Sequence, residues 1–217
     1  MQYINNAFVQ FFNLIHGFVR SIIANPNVSY GVAIILVTAI IRLLLLPLNI
    51  KQTKSSLKMN KMQPELKKLQ QKYKNDPQKM QEKTMELYKE MGVNPLGGCL
   101  PLLLQWPIFI ALYYVFNTLT GINGISFLWI KDLAKPDILL AILSGATTYY
   151  SGSLMAPSDP AQAKQTASMN IGMSIFMIII SWKLKAALVL YWVVNNLIQI
   201  LQTFFMRKAE FNDKSKA

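Results

Sequence analysis

From residue 30 to residue 50 the chain reads YGVAIILVTAIIRLLLLPLNI. These 21 apolar-dominated residues predict a helix of about 31 Å at ~1.5 Å per residue, which matches a hydrocarbon core of roughly 30 Å. Ser29 is its expected cap, and Pro47 is expected to bend its inner end. Four further apolar runs follow. Residues 96–119 carry Pro101, Gln105 and Pro107, and residues 137–151 open on Asp137 as a cap and place Ser144, Thr148 and Ser151 at helical spacing. Residues 169–182 continue a helix announced by Asp159 and Pro160, and residues 186–206 form the last run. The fourth apolar stretch has only 14 residues, about 21 Å at ~1.5 Å each, so it would thin the bilayer locally.

Two other segments follow a different pattern. Residues 2–24 put Phe8, Phe11, Phe12, Ile15, Val19, Ile22 and Ile23 on one helical face and Asn6, Gln10, Asn13, Gly17, Arg20 and Ser21 on the other. Such a helix suits the membrane interface, because crossing would bury its polar face in lipid. His16 is expected on its surface. Residues 51–92 hold eleven lysines against five acids, with Leu57, Met62, Leu66, Leu69 and Tyr73 at three- and four-residue steps, a turn at Asn75, Asp76 and Pro77, and a second helix beyond. The pattern predicts a charged helical hairpin ended by Gly92, Pro95, Gly97 and Gly98.

The predicted fold is therefore an all-α polytopic membrane protein with five transmembrane helices. Residues 1–28 form an interfacial amphipathic helix and linker outside, 29–50 the first transmembrane helix and 51–94 a cytoplasmic helical hairpin. Residues 95–206 hold transmembrane helices two to five, and 207–217 a short basic cytoplasmic tail. Composition agrees: of 217 residues 53% are hydrophobic and 15% charged. The net charge of +12 is explained by topology rather than by nucleic acid. Sixteen lysines and arginines fall in the hairpin, the 152–168 loop and the tail, against five in the segments assigned to the other side. The positive-inside rule then puts the C-terminus in the cytoplasm and the N-terminus outside, with Lys183 and Lys185 as exceptions. The one cysteine, Cys99, forms no internal disulfide, and no spacing suits a metal site. No secretory n-region, h-region and cleavage site open the sequence, so a leader was either never present or removed.

Arg42 is the residue that demands an explanation. A mid-span arginine costs roughly 2.5–3.5 kcal/mol on insertion scales, so it faces a partner or water, or snorkels to the headgroups. No acid lies inside any apolar run, which leaves water or a visiting substrate as its expected partner. Trp192, Asn195, Asn196, Gln199 and Gln202 form one stripe on the last span. With Thr38, Gln105, Ser144, Thr148, Ser151 and Ser174 they predict a hydrated cavity, although each alone suits interhelical packing. In the hairpin, Met59, Met62, Met80, Met85 and Met91 offer an adaptable apolar face to varied substrates, or else simply hold the two helices together. No His/Asp/Glu pair, nucleophile elbow or phosphate loop is present, so neither enzymatic chemistry nor a cofactor is expected.

The segments IIRLLLLPLN, KQTKSSLKMNKMQPELKKLQQKYKNDPQK, GVNPLGGCLPLLLQWPIFIALY and YWVVNNLIQILQ together resemble the YidC family of membrane protein insertases, in its short Gram-positive form. The resemblance implies a five-helix core around a hydrophilic groove, open to the cytoplasm and to lipid but closed outside, and a hairpin that receives substrates. It matches the family's groove arginine to Arg42 and its fifth-helix tryptophan to Trp192; in some relatives a glutamine stands near the position of Ser151. It implies nascent membrane proteins as substrates, the lipid bilayer of the bacterial plasma membrane as medium, and the ribosome and the general secretion channel as candidate partners, without sequence-specific nucleic-acid binding. A small channel or transporter using the same wet cavity is the rival reading, and a structural scaffold is a third.

Overall fold

Asn25 and Pro26 start the first long apolar helix. The Asn25 side chain accepts a hydrogen bond from the Asn27 N–H at 2.9 Å, and Pro26 stands in the first turn, where its missing N–H costs nothing. The cap is thus Asn25 and not Ser29, which is buried inside the helix with its hydroxyl donating to the Pro26 carbonyl at 3.3 Å. The structure, a computed structural model, describes residues 2–92, 100–156 and 160–214. They form α1 (Gln2–Ile22), α2 (Pro26–Leu44), α3 (Leu46–Lys72), α4 (Pro77–Glu90), α5 (Leu100–Thr118), α6 (Ile138–Ser153), α7 (Pro160–Ser181) and α8 (Ala186–Lys214). Among the described residues there is no strand, only an isolated bridge between Phe127 and Ile130. Two stretches, Pro26–Leu44 and Ala186–Lys208, are long and apolar enough to cross a membrane by length and composition.

The single helix expected over residues 29–50 is two helices. A proline ring clashes with the carbonyl four residues before it, here that of Leu43. Accordingly α2 stops at Leu44, Leu45 turns the corner at φ −88° and ψ −1°, and Pro47 sits harmlessly in the first turn of α3. From there α3 runs unbroken past residue 51, so Asn49 shares a helix with Gln52 and Thr53. The chain turns after Tyr73, and the Asp76 carboxylate caps α4 by accepting from the Lys79 N–H at 3.0 Å. Pro95, Gly97 and Gly98, expected to end this pair of helices, and Asp159, the expected cap of α7, lie outside the described residues.

At the end of the bundle away from α3 and α4 the packing is dense. α1 lies against α2 and α5, with Phe12 and Val19 buried and Phe12 meeting the edge of Phe116 at 5.6 Å. His16 is buried too, contrary to the surface position expected for it. It stacks on Tyr30 at 3.7 Å between ring centroids and shares a hydrogen bond with the Ser29 hydroxyl at 3.3 Å. The segment between α5 and α6 folds over this end, burying Ile122, Ile130 and Leu133. Its carbonyls at Lys135 and Leu133 accept the Ala186 and Ala187 N–H groups at 2.9 and 3.0 Å, satisfying two of the first-turn donors of α8 that would otherwise have no partner. Phe127 presses so closely on Gly31 that no Cβ fits there. On the far side α6 packs on α7 and α8, with Gly145 against Ile178 and the Ser144 and Ser181 hydroxyls paired at 2.9 Å.

Candidate functional site

The break at Leu45 sets Arg42 in the last turn of α2, facing α8. Its Nε donates to Asn195 Oδ1 at 2.7 Å, Nη1 to Gln199 Oε1 at 2.6 Å, and Nη2 to the Asn195 carbonyl at 2.8 Å. The partner expected from the sequence was water or a substrate; the partners present are three neutral oxygens of one helix. Neutral acceptors hold the guanidinium in place and leave its charge uncancelled. Three of its five N–H groups are used, and two make no bond to any described residue.

Arg42 lines a cavity of about 340 Å³ between α2, α3, α5, α6 and α8. Gln105, Ser151, Trp192, Asn195, Asn196 and Gln199 line it as well. Five sequence-derived candidates do not line it: Thr38, Ser144, Thr148, Ser174 and Gln202. Thr38 is fully buried in α2 with its hydroxyl donating to the Ile34 carbonyl at 2.7 Å, so it serves the helix rather than the cavity. Thr148 sits behind the wall, accepting from Trp192 Nε1 and Asn196 Nδ2, both at 3.0 Å, and so fixes the orientation of two lining side chains. Ser144 and Ser174 are buried and bond within the α6–α7 region, outside the cavity lining.

Four lining residues escaped the sequence reading. Asn49 was counted with the first predicted span, and Gln52, Thr53 and Ser56 with the charged hairpin, yet all four stand on the first turns of α3 and line the cavity. Their spacing of three, one and three residues was the available signal. Asn49 Nδ2 and Gln52 Nε2 are buried with no partner among the described residues. A buried donor left unpaired costs about 1–3 kcal/mol, so both can donate to a polar group in the cavity. Tyr191 was also missed; a tyrosine hydroxyl buried in mid-helix needs a partner, and it accepts from Gln105 Nε2 at 2.6 Å.

A second, apolar cleft of about 100 Å³ adjoins the cavity between α5 and α7, which barely touch. Gln105 and Trp192 line both, and Phe109 meets Trp192 edge-on at 5.9 Å. The wall between the donor-rich space and the hydrocarbon-lined one is therefore a single layer of side chains.

Residues 22–214 match the model of the 60Kd inner membrane protein family. The chain belongs to this family. A relative from Clostridium tetani (strain Massachusetts / E88), described as membrane protein insertase YidC, is 63% identical over 211 residues, covering 97% of this chain and 96% of its own. Membrane protein insertase MisCA of Bacillus subtilis (strain 168) is 45% identical over 185 residues, covering 82% of this chain and 70% of that one. A solved structure, described as an active YidC insertase crystal structure with the first transmembrane domain resolved, superposes with a TM-score of 0.73 at 35% identity. That match covers 94% of this chain, which spans 46% of the solved one.

The methionines of this family member's charged arm divide by burial. Met62 is fully buried and presents no apolar face to the surface, unlike the expectation for it. Met85 and Met91 are 45% and 44% exposed, while Met59 and Met80 are half-buried. The middle of α3 is anchored as well, since Asn60 Nδ2 donates to the Met155 carbonyl at 2.8 Å. Arg207 Nη1 donates to the neighbouring Leu154 carbonyl at 2.8 Å and ties α8 to the same corner.

Proposed function

We propose that this chain is a membrane protein insertase whose central device is the cavity around Arg42. Five spans, α2 and α5 to α8, cross the bilayer; α1 lies on the outer face and α3 with α4 forms a cytoplasmic hairpin. The charge distribution supports that orientation, since it puts the hairpin and the C-terminus on the lysine-rich side. The observation that carries the reading is an arginine fixed by neutral oxygens only, in a cavity that also holds unpartnered amide donors. Every one of these free groups donates, so the cavity suits carboxylates and carbonyls. A carboxylate about 4 Å from Arg42 gains ~4 kcal/mol at an effective dielectric constant near 20. An aspartate at mid-bilayer costs roughly 2.5–3.5 kcal/mol, so the arginine offsets that barrier without any nucleotide.

The polar outer segment of a nascent protein enters the cavity from the cytoplasm, while its apolar segment passes through the α5–α7 cleft into lipid, where burial supplies the driving force. Met59, Met80 and Met85 of the hairpin receive the substrate first. The ribosome and the general secretion channel are partners in delivery. The test is purified protein in liposomes, given a single-span substrate with an acidic outer tail and no other translocase. Arg42→Ala is expected to impair insertion and Arg42→Lys to retain much of it. Arg42→Glu inserting such substrates as well as the unmodified chain would remove the electrostatic step.

A further inference from the structure

Lys183 and Lys185 stand at the lysine-poor end of the molecule, and both line a cavity of about 210 Å³ with Tyr113, Phe116, Asn117 and Leu188. Lys185 Nζ donates to the Phe116 carbonyl at 2.9 Å. The Lys183 side chain is exposed and bonds to no described residue, while its backbone N–H donates to the Ile180 carbonyl at 2.9 Å. Neither nearby acid neutralises the pair. Asp132 accepts from the Gly124 and Ala134 N–H groups at 3.1 and 2.9 Å and faces Lys135 at 3.5 Å, and Asp137 caps α6. No carboxylate lines the cavity, and although Asn117 Nδ2 donates to the Tyr113 carbonyl at 2.9 Å, the two ammonium groups that line it keep donors to spare. That is a seat for an anion.

Its surroundings decide which anion. Tyr113 lies one turn beyond Phe109 on α5, and Lys183 lies three residues beyond Ile180 near the end of α7; Phe109 and Ile180 line the apolar cleft. From Phe176 in the cleft to Ser181, where α7 ends, is five residues, about 8 Å at ~1.5 Å per residue, and Lys183 stands two residues further on. Exposed Phe176, Ile179 and Trp182 give this face a hydrocarbon and aromatic surface, as at a bilayer interface. A free phosphate would use the lysines and leave the cleft empty, and an acidic peptide likewise. A molecule with an anion at one end and hydrocarbon at the other uses both. We propose that an anionic phospholipid binds here, its phosphate at Lys183 and Lys185 and one acyl chain along the cleft between α5 and α7, and that a substrate's apolar segment displaces it. The inference rests on the membrane placement of α5 and α7 proposed above.

The test uses the full chain with Trp129→Phe and Trp182→Phe, so that emission comes from Trp106 and Trp192, both of which line the cleft. It is reconstituted in phosphatidylcholine vesicles with a small fraction of lipid brominated on the acyl chain, either phosphatidylglycerol or phosphatidylcholine. Brominated phosphatidylglycerol is expected to quench at lower mole fraction, by about fivefold for each lysine engaged, and Lys183→Gln to remove about fivefold of that preference. In the unsubstituted-lysine protein, excess unbrominated phosphatidylglycerol should restore emission where phosphatidylcholine does not. Equal quenching by the two lipids would overturn the headgroup site and leave the membrane placement standing; no quenching by either would overturn both. Recovery of emission with inorganic phosphate at matched ionic strength would assign the lysines to free phosphate, and recovery with an acidic peptide would assign them to a substrate tail. Either result overturns the lipid.

Discussion

The two ends of this bundle are built on opposite principles. At one end Phe12, Ile34, Phe116, Ile122 and Leu133 are almost fully buried, and loop carbonyls satisfy the first N–H groups of α8. At the other, around Arg42, a cavity of about 340 Å³ keeps amide donors without partners. A protein built only for stability would fill such a space, because packed cores leave few voids and unpaired donors are expensive. Under the proposed reading the contrast divides the labour: one end holds the helices together, and the other keeps a space open for a polar visitor.

The largest expected effect lies at the packed end. Phe12→Ala removes the ring that meets Phe116 and should lower stability by about 3–5 kcal/mol, read as a drop in the thermal midpoint in detergent. Insertion per folded molecule should be unchanged. Loss of insertion without loss of stability would erase the division of labour between the two ends.

A smaller effect of opposite sign belongs to the cavity. Asn49→Leu removes a buried donor that has no partner, and is expected to raise stability by about 1 kcal/mol while slowing insertion. Lower stability in that variant would mean that Asn49 is already satisfied in the resting protein.

The smallest effect is pH-dependent. Burial, and then the nearby Arg20 charge, hold His16 below its ordinary value. The folded chain therefore disfavours the imidazolium. The stability tied to neutral His16 is present above the unfolded value near 6.5 and is lost as pH falls from there through the lowered folded value. Thermal midpoints followed from neutral to acidic pH should show this loss, and His16→Phe should flatten it. An unchanged slope in that variant would place the titration on another group.

How much of this was legible in the sequence differs between the same two regions. The apolar runs foretold helices, and Asp137 marked a helix start correctly because caps act within a few residues; the turn read at Asn75, Asp76 and Pro77 already includes the cap and first residue of α4. Ser29 misled, since Asn25 with Pro26 offered a better start four residues earlier. Pro47 was legible as a disturbance but not as a complete break, and that difference moved Asn49, Gln52 and Thr53 onto a wall of the cavity. The partners of Arg42 lie 153 and 157 residues away, so only the stripe on α8 hinted at them. Thr38, four residues before Arg42 on α2, still faced inward, because periodicity assigns a face and not what the face meets. His16 looked like a surface residue because nothing local reveals that Tyr30 and Ser29 come to cover it.

The central claim is that the Arg42 cavity opens to one side only. In a Cys99→Ser background, single cysteines at Ser151 and Gln52, both on its wall, are offered a membrane-impermeant maleimide from either side of sealed vesicles of known orientation. Labelling from the side that bears the charged helices α3 and α4, and none from the other, is the predicted result. Equal labelling from both sides would contradict it and make the chain a channel.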